Sequence, residues 1–334
     1  MQVNAYAAYQ PKENLKEFKY DSKIPEGKEV EIKITHCGIC HSDIHLIDND
    51  WMISQYPLVP GHEIIGIVTK VGKDVIDLKP GIRVGVGWQS GACHECEWCT
   101  TSQENLCAKS VATCVGKYGG FADHIVTDSR FAFPIPEALD SENAAPLLCG
   151  GITVYSPLKN YQVKPSHKVG VIGIGGLGHL ALQFARAMGC EVTAFSTSAD
   201  KEAEAKSFGA HNFVNSKDEK QMQEMTGKLD FILSTVTAHL NWMDYVNVLR
   251  PNGKLIFVGA SPGNIEIPPM ALVLGQKIVG GSVIGGIAII KEMLDFAARN
   301  RIKAKTELFK VADVNKAIEK VRNNTIRYRA VLEM

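Results

Sequence analysis

The sequence lacks the features that mark membrane proteins and nucleic-acid-binding proteins. No apolar run in its 334 residues approaches the roughly 20 residues that a helix needs to cross a bilayer. Neither sign of charge is in excess, since 36 lysines and arginines balance 36 aspartates and glutamates, so no overall field favours nucleic acid or anionic lipid. The first residues show no basic flank followed by an apolar stretch, so no secretory signal is indicated. These absences predict a cytoplasmic protein with neither a membrane nor a nucleic acid as its partner.

Cysteine, by contrast, is abundant and clustered. Four of the nine cysteines fall within fifteen residues, namely Cys93, Cys96, Cys99 and Cys107. Zinc accepts four thiolates in a tetrahedron, and a site closed by protein ligands is structural. Disulfide bonds are the alternative, but a reducing compartment disfavours them. The spacing therefore predicts a structural zinc site in one short lobe.

The pattern of apolar residues divides the chain into two kinds of segment. The first 150 residues show short β segments, such as 29–34 and 83–86, between turns rich in glycine and proline. This pattern predicts a compact, mostly antiparallel β domain. Beyond that point, strands such as 169–172 alternate with helices such as 177–188, which predicts a parallel sheet covered on both faces. The tail shows two more amphipathic helices and a final strand at 329–332.

A glycine-rich turn follows the strand at 169–172 directly and opens the next helix. It consists of Gly173, Ile174, Gly175, Gly176, Leu177 and Gly178, the G-x-G-x-x-G pattern of dinucleotide-binding proteins. The first glycine permits the tight turn, the second lets the backbone approach a pyrophosphate, and the third lets the helix pack on the strand. A turn that serves packing alone is the other interpretation, but the strand–turn–helix context favours a dinucleotide site.

The end of the next strand decides which nicotinamide cofactor is expected. Proteins that bind NAD usually hold an acidic residue there, bonded to the ribose hydroxyls. Here the strand ends with Ser196, Thr197 and Ser198, and Lys201 follows. A carboxylate at Ser196 would repel a 2′-phosphate, whereas hydroxyls and a lysine supply donors to it. We therefore predict NADP(H); the alternative is a polar loop that merely caps a helix.

A second group of potential zinc ligands is scattered, and spacing alone does not join its members. Cys40 lies in CGICHSDIH (37–45), His62 in YPLVPGHEIIGIV (56–68) and Cys149 in LLCGGIT (147–153). Together with the four-cysteine lobe and GIGGLGH (173–179), these motifs resemble the medium-chain dehydrogenase/reductase superfamily over nearly the whole chain. Within it, the chain is similar to zinc alcohol dehydrogenases of the cinnamyl alcohol dehydrogenase and broad-specificity aldehyde reductase branch.

The resemblance implies an α/β fold with two domains. A GroES-like, mostly β catalytic domain would comprise residues 1–150 and 286–334. A Rossmann domain, with a doubly wound parallel sheet that binds the dinucleotide, would comprise residues 151–285. The resemblance also implies a homodimer joined through the Rossmann sheets, a small alcohol or aldehyde as substrate, and two zinc ions per chain.

Carried over position by position, the family pattern gives the ligands of a catalytic zinc, which are Cys40, His62 and Cys149. Ser42 and His45 match the positions of a proton relay. Glu63 matches a carboxylate that lies behind the zinc or exchanges with its ligands, and Thr153 matches a residue beside the nicotinamide. Cys37 is then a bystander, in spite of its CxxC spacing from Cys40.

Two thiolates and a neutral imidazole would leave the fourth position of this zinc open, as a catalytic site requires. The expected reaction is hydride transfer between NADP(H) and a carbonyl carbon, which interconverts primary alcohols and aldehydes. Reduction of aromatic or medium-length aliphatic aldehydes is the expected direction. Trp51, Tyr56 and Trp88 lie beside the site motifs and form either an apolar wall for such substrates or ordinary core.

One segment departs from the family, and two other functions compete. Residues 108–118 are fewer than in plant cinnamyl alcohol dehydrogenases, and this segment helps to line the substrate entrance, so the substrate itself is not carried over. An NAD-dependent alcohol or polyol dehydrogenase is one alternative, and a non-catalytic protein that binds NADP and zinc is the other. The complete sets of ligand, relay and glycine residues favour the enzyme.

Overall fold

The computed structural model describes residues 1–259 and 263–334. The chain forms two compact units, Met1–Ile152 with Gly285–Met334 and, separately, Thr153–Ile284. The strands are β1 (Gln2–Ala7), β2 (Lys16–Asp21), β3 (Glu29–Ile39), β4 (Glu63–Val71), β5 (Arg83–Val86), β6 (Gln89–Gly91), β7 (Val111–Ala112), β8 (His124–Asp128), β9 (Phe133–Pro134), β10 (Lys168–Ile172), β11 (Glu191–Ser196), β12 (Asn212–Asn215), β13 (Leu229–Ser234), β14 (Leu249–Phe257), β15 (Ile278–Gly281), β16 (Thr306–Lys310) and β17 (Arg329–Glu333).

The helices are α1 (His41–Asp48), α2 (Glu97–Thr100), α3 (Ser141–Ala144), α4 (Gly150–Asn160), α5 (Gly178–Ala187), α6 (Glu202–Ser207), α7 (Glu219–Glu224), α8 (Trp242–Val248), α9 (Pro269–Val273), α10 (Ile287–Asn300) and α11 (Val314–Arg322). None of these described helices combines the length and the apolar character that crossing a bilayer requires.

A seven-stranded sheet organises the first unit. Its order is β16-β17-β3-β4-β5-β9, and β8 also pairs with β3. Neighbouring strands run antiparallel except β16 and β17, which are parallel. The β-branched side chains of Val30, Ile32 and Ile34 alternate along β3 and are buried in the core, as a sheet with one face on the core requires. The predicted mostly antiparallel β domain is confirmed.

The ends of two central strands position the candidate site. The sequence predicts that β3 ends at residue 34, but the strand continues to Ile39 and brings the chain to Cys40 at the start of α1. Its ladder with β4 slips between Ile34 and His36. Such a bulge breaks the period-2 pattern, which is why periodicity alone ends the strand too early. β4 begins at Glu63, directly after His62.

A six-stranded sheet organises the second unit. All of its pairs are parallel, and its order is β12-β11-β10-β13-β14-β15. This is the doubly wound order in which the direction of winding reverses between β10 and β13. Ligands of such sheets bind at the carboxyl ends of the strands at that reversal. The predicted Rossmann fold is therefore confirmed.

Two elements of the second unit differ from their predicted bounds. β14 begins at Leu249 rather than at residue 254, because Leu249 already pairs with Leu229 of β13, and the ladder resumes at Lys254 after an irregularity that holds Pro251-Asn252-Gly253. Those residues signal a turn, and Asn252 does take a left-handed φ of 62°. α8 begins at Trp242 rather than at residue 239, because the Asn241 side chain accepts the N–H of Met243 and caps the helix there.

Candidate active site

Four thiols converge in the lobe between β6 and β7. One sulfur from each of the predicted structural ligands lies within 4.8 Å of the others, and these are Cys93, Cys96, Cys99 and Cys107. The Cys93 sulfur lies 3.5 Å from that of Cys107 and 3.8 Å from that of Cys99. Backbone N–H groups of Glu95 and Cys96 point at the Cys93 sulfur and lower the pKa of Cys93 to about 6. A thiolate is thus favoured in a cage that has the donor set of a closed zinc site.

A second cluster joins residues that are far apart in the sequence. Ligand atoms of Cys40, His62, Glu63 and Cys149 all lie within 4.8 Å of one another. Cys40 comes from the end of β3, His62 precedes β4, and Cys149 precedes α4. The N–H of Cys40 donates to Asp43 Oδ2 at 2.9 Å, which closes the first turn of α1 and fixes the cysteine at its start.

The buried imidazole of His62 is held so that one ring nitrogen faces the thiols. His62 Nδ1 lies 2.9 Å from Asp43 Oδ1, and the same oxygen accepts the N–H of Gly61 at 2.9 Å. The other ring nitrogen, Nε2, is buried and has no hydrogen-bond partner among the described residues. A buried, unpartnered nitrogen beside two thiols is the arrangement that a zinc ion satisfies, and a carboxylate on the far nitrogen orients such a ligand.

The pKa values of the two thiols in this cluster are shifted in opposite directions. The Cys149 S–H donates to Cys40, which lowers the pKa of Cys40 well below its usual range and raises the pKa of Cys149. Burial disfavours a charged His62, but the charges of Asp43 and Cys149 outweigh burial and raise the pKa of His62. Metal binding at these groups would therefore release protons.

Glu63 forms a buried ion pair behind the thiols. Its Oε1 accepts from Arg329 Nη2, and both side chains are buried. Its Oε2 has no hydrogen-bond partner among the described residues, and only a glycine fits at position 38, where a Cβ would overlap this oxygen. Burial raises the pKa of Glu63 to about 7, against the opposing charge of Arg329. Glu63 is thus a carboxylate that sits beside the cluster with one oxygen uncommitted.

The predicted relay residues lie on α1. The Ser42 hydroxyl is 3.7 Å from the Cys40 sulfur, at the edge of the ligand cluster. One turn further on, His45 Nδ1 lies 2.8 Å from Asp50 Oδ2, and both side chains reach solvent. α1 therefore leads from the cluster to a solvent-accessible His–Asp pair.

Two of the three aromatic candidates lie against the site. The Trp88 ring meets the His62 ring edge-on at 4.9 Å between centroids. Trp51 lies 6.0 Å from Trp88 and 5.2 Å from the ring of His45. Tyr56 instead donates its hydroxyl to the Ile47 carbonyl at 2.9 Å, which anchors the end of α1. Trp51 and Trp88 thus give one side of the site an apolar wall, whereas Tyr56 packs and braces the helix.

In the second unit, the glycine turn follows β10 as predicted. Gly173 takes a φ of 87°, and a Cβ on Gly178 would overlap the Gly173 carbonyl, so both positions require glycine. A Cβ on Gly175, by contrast, would meet nothing within 4 Å. The exposed Gly175 backbone is therefore open to a ligand, which fits its predicted role at a pyrophosphate. Gly176 and Leu177 complete the turn before α5, and both are partly exposed.

The serine-rich loop closes over the end of β11. Ser196 is buried and its Oγ accepts the N–H of Ser198 at 3.2 Å, while Thr197 is exposed. Lys201 Nζ donates to the carbonyl of Ile174 at 2.8 Å and so ties this loop to the glycine turn. Thr153, the predicted neighbour of the nicotinamide, is buried in α4.

Comparisons with known proteins agree with this geometry. The sequence pattern of zinc-binding dehydrogenases matches residues 176–299, and that of the alcohol dehydrogenase GroES-like domain matches residues 26–137. An aldehyde reductase of Synechocystis sp. is 44% identical over 330 residues, which cover 99% of this chain and 98% of that protein. The chain belongs to the zinc-binding dehydrogenase family.

The structure of the dehydrogenase is similar to the solved structures of two cinnamyl alcohol dehydrogenases. That of Sorghum bicolor is 39% identical with a TM-score of 0.95, and the match covers 100% of this chain and 98% of that one. That of Helicobacter pylori, solved with NADP(H), is 36% identical with a TM-score of 0.92, and coverage is again 100% and 98%. The predicted zinc-dependent oxidoreductase of alcohols and aldehydes is confirmed.

Three residues of the dehydrogenase site escaped the sequence analysis. Asp43 orients His62, Asp50 pairs with His45, and Arg329 pairs with Glu63. Asp43 lies in the CGICHSDIH motif, and its place three residues after Cys40 is a capping-box spacing that could have indicated it. Asp50 and Arg329 carry no such signal, because each is identified only by the three-dimensional neighbour that it contacts.

Proposed function

We propose that the dehydrogenase reduces aldehydes with NADPH at a zinc ion held by Cys40, His62 and Cys149. The observation that carries this proposal is the buried, unpartnered Nε2 of His62, in a cluster whose ligand atoms include the thiols of Cys40 and Cys149 within 4.8 Å of one another. A second, structural zinc belongs in the lobe, at the cage of Cys93, Cys96, Cys99 and Cys107. The proposed direction is that of the Synechocystis relative, which is an aldehyde reductase.

When bound, the catalytic zinc would act as a Lewis acid for a carbonyl oxygen. The chain's own residues then have separate roles. Asp43 holds the neutral His62 with Nδ1–H donated, so that Nε2 is free to bind. Arg329 offsets the charge of the neighbouring thiolates, and the uncommitted oxygen of Glu63 is close enough to exchange with a ligand.

A proton for the product would pass along α1. Ser42 lies at the ligand cluster and His45 reaches solvent, where Asp50 holds one ring nitrogen. A carboxylate on one imidazole nitrogen fixes the tautomer and leaves the other nitrogen for proton transfer. We propose that Ser42 and His45 are catalytic residues and that Asp50 is a positioning residue.

Replacing His45 by alanine should lower turnover about 100-fold at neutral pH, the lower end of what general acid–base catalysis contributes. Added imidazole should restore part of this loss, because a free base can take the place of the missing ring. Asp50→Asn should lower turnover less than His45→Ala and should not respond to imidazole. Steady-state kinetics with and without imidazole measure both effects. Full turnover of His45→Ala without imidazole would exclude this route for the proton.

The proposed cofactor is NADP(H). No carboxylate stands at the end of β11, where Ser196 and the backbone around it supply hydrogen-bond donors. Lys201 lies at the same loop, and its ammonium can leave the Ile174 carbonyl for a phosphate. The Helicobacter pylori relative was solved with NADP(H).

Side-by-side assays test the cofactor and the reaction together. With aromatic and medium-length aliphatic aldehydes, NADPH oxidation should exceed NADH oxidation by at least about tenfold in kcat/KM, as one lost charge-assisted contact would give. Ser196→Asp should reverse this preference, because its carboxylate would repel the 2′-phosphate and accept from a ribose hydroxyl. Equal rates with both cofactors would remove the NADP(H) assignment. Turnover of a polyol but not of any aldehyde would favour the polyol dehydrogenase alternative.

Aromatic and medium-length aliphatic aldehydes are the proposed substrates. Trp51 and Trp88 offer an apolar wall beside His62, and such a wall excludes water and packs against an apolar substituent. The short segment 108–118 contributes Cys114, which is buried near His62 and Asp43.

The two units have distinct proposed roles. The first unit, with both cysteine clusters, is the catalytic domain, and the second unit, with the glycine turn, binds the cofactor. A homodimer is proposed because β15 lies at the edge of the six-stranded sheet, next to exposed apolar side chains, namely Met270, Val273, Leu274, Ile278 and Val283. A cytoplasmic location fits nine cysteines that are all unpaired, since zinc thiolates need a reducing compartment.

A further inference from the structure

The first turn of α10 is capped by a residue that is remote in the sequence. Gly286 occupies the N-cap position and has no side chain to cap the helix, and the first turn holds no acidic residue. Instead, the backbone N–H of Ile287 donates to Glu104 Oε2 at 2.9 Å. A carboxylate at this place satisfies an unpaired helix amide and interacts favourably with the helix dipole. The cap therefore comes from the cysteine lobe.

The lobe holds Glu104 firmly in this position. Glu104 lies between Cys99 and Cys107 in the sequence, begins the short 3₁₀ turn Glu104–Leu106, and is 6% exposed. Its backbone carbonyl accepts Gln89 Nε2 at 2.8 Å. The lobe closes tightly on the helix start, because a Cβ on Gly286 would overlap the Ser102 carbonyl and lie 2.6 Å from Glu104 Oε2. The lobe that carries the four thiols thus sets the position of the cap.

α10 in turn packs on the segment that carries Cys149. Gly150, Gly151 and Ile152 follow this cysteine directly. Met293 of α10 is fully buried, and its sulfur lies 3.4 Å from the place a Gly151 Cβ would take. Ile152 Cδ1 lies 2.8 Å from the place of a Gly285 Cβ, just before the helix. The first half of α10 and the glycine before it therefore lie close to the segment after Cys149.

We propose that Glu104 is a positioning residue that couples the cysteine lobe to the catalytic ligand Cys149 through the first turn of α10. The coupling passes through three contacts: the lobe presents the carboxylate, the carboxylate fixes the helix start, and the helix start supports the segment after Cys149. The lobe metal then contributes to retention of the catalytic metal as well as to local folding. This inference rests on the proposed function, because it takes both clusters to hold zinc.

Two measurements on the zinc-loaded enzyme test the coupling. Hydrogen exchange of peptides that cover residues 286–293 reports on the helix start. The rate of zinc release to a chelator reports on both metals, and Cys149→Ala identifies the release phase of the lobe. We expect Glu104→Ala to raise exchange in this helix start, and to speed release of the catalytic zinc, by about 2- to 30-fold, the range that the loss of a helix cap produces. Glu104→Gln keeps an acceptor but not the charge, so its exchange and zinc-release rates should lie between those of the wild type and of Glu104→Ala.

Glu95→Ala is the matched control. Glu95 is a carboxylate of the same lobe, but it is exposed and pairs only with Lys109 on the surface. We expect this variant to leave both exchange and zinc release unchanged. Cys107→Ser should raise exchange at residues 286–293 by opening the lobe. Adding Glu104→Ala to Cys107→Ser should raise it no further, because both changes remove the same cap.

Faster exchange in Glu104→Ala without faster release of the catalytic zinc would overturn the coupling and reduce the cap to a local contact. Additive effects of Glu104→Ala and Cys107→Ser would also overturn it. If Glu104→Ala does not fold, Glu104→Gln gives the same test, because it removes the charge of the cap and keeps its shape. A wild-type chain that binds fewer than two zincs would count against the proposed function instead, and metal analysis before the variants are compared separates these failures.

Discussion

Cys149→Ala should lose one of two zinc ions per chain, and turnover should fall about 1,000-fold or more. The reason is that Cys149 is one of the two thiols that cluster with His62, whose Nε2 is unpartnered, and two remaining ligands bind zinc poorly. Polarisation of a carbonyl by zinc is worth several kcal/mol, and each 1.4 kcal/mol is about a factor of ten in rate. Metal analysis and steady-state kinetics on the same sample measure both losses.

Cys190→Ala provides a matched control for this prediction. Cys190 is also a buried thiol, but it lies in the second unit and donates to the Lys164 carbonyl. We expect this variant to keep both zincs and its turnover. Cys107→Ser should instead lose the other zinc and lower stability, since a structural zinc contributes directly to folding. Two zincs retained in Cys149→Ala would show that Cys149 is not a ligand.

The fold could be predicted from the sequence because its two halves follow different periodicities. The alternating apolar residues in the first half of β3 and the β10–turn–α5 unit each carry a local signal in the residues that form them. The predicted bounds of two strands were wrong where a local signal and the tertiary structure disagreed. The turn residues before Lys254 lie within β14, and the slip after Ile34 hides the second half of β3.

The metal clusters differ in how far the sequence could define them. The lobe is local, since its four cysteines lie within fifteen residues, and spacing alone indicates it. The cluster at Cys40 is not local, and family resemblance rather than spacing predicted its members. The pairs of His45 with Asp50 and of Glu63 with Arg329 escaped the sequence analysis. No periodicity shows that β17 and β4 lie on either side of β3, where Arg329 meets Glu63.

The buried pair of Glu63 and Arg329 leads to the second large expected effect. Arg329 stands on β17, in the C-terminal part of the first unit, and is 6% exposed. Burial disfavours its charge, but the charges of Glu63 and Cys40 outweigh burial and hold the pKa of Arg329 above its ordinary value. The guanidinium therefore stays protonated and offsets two negative groups. Removal of one partner of such a pair leaves an uncompensated buried charge.

We expect Arg329→Met to lower the free energy of unfolding of the first unit by about 3–5 kcal/mol, the cost of breaking a buried ion pair. Denaturant unfolding, followed by the transition of the first unit, measures the loss. Arg322→Met is the control, because Arg322 pairs with Asp48 near the surface, where an ion pair is worth about 1 kcal/mol or less. The two arginines lie seven residues apart on the same C-terminal segment.

A double-mutant cycle separates the pair from the loss of a large side chain. If the cost of Arg329→Met comes from the orphaned Glu63, then Arg329→Met with Glu63→Met should be less destabilised than the sum of the single variants, by about 2 kcal/mol or more. Zinc content is measured for each variant, since Glu63 lies within the catalytic cluster and its loss can change metal binding. Additive effects at equal zinc content would mean that Arg329 stabilises β17 by packing alone, and its charge would then have no role beside the thiolates.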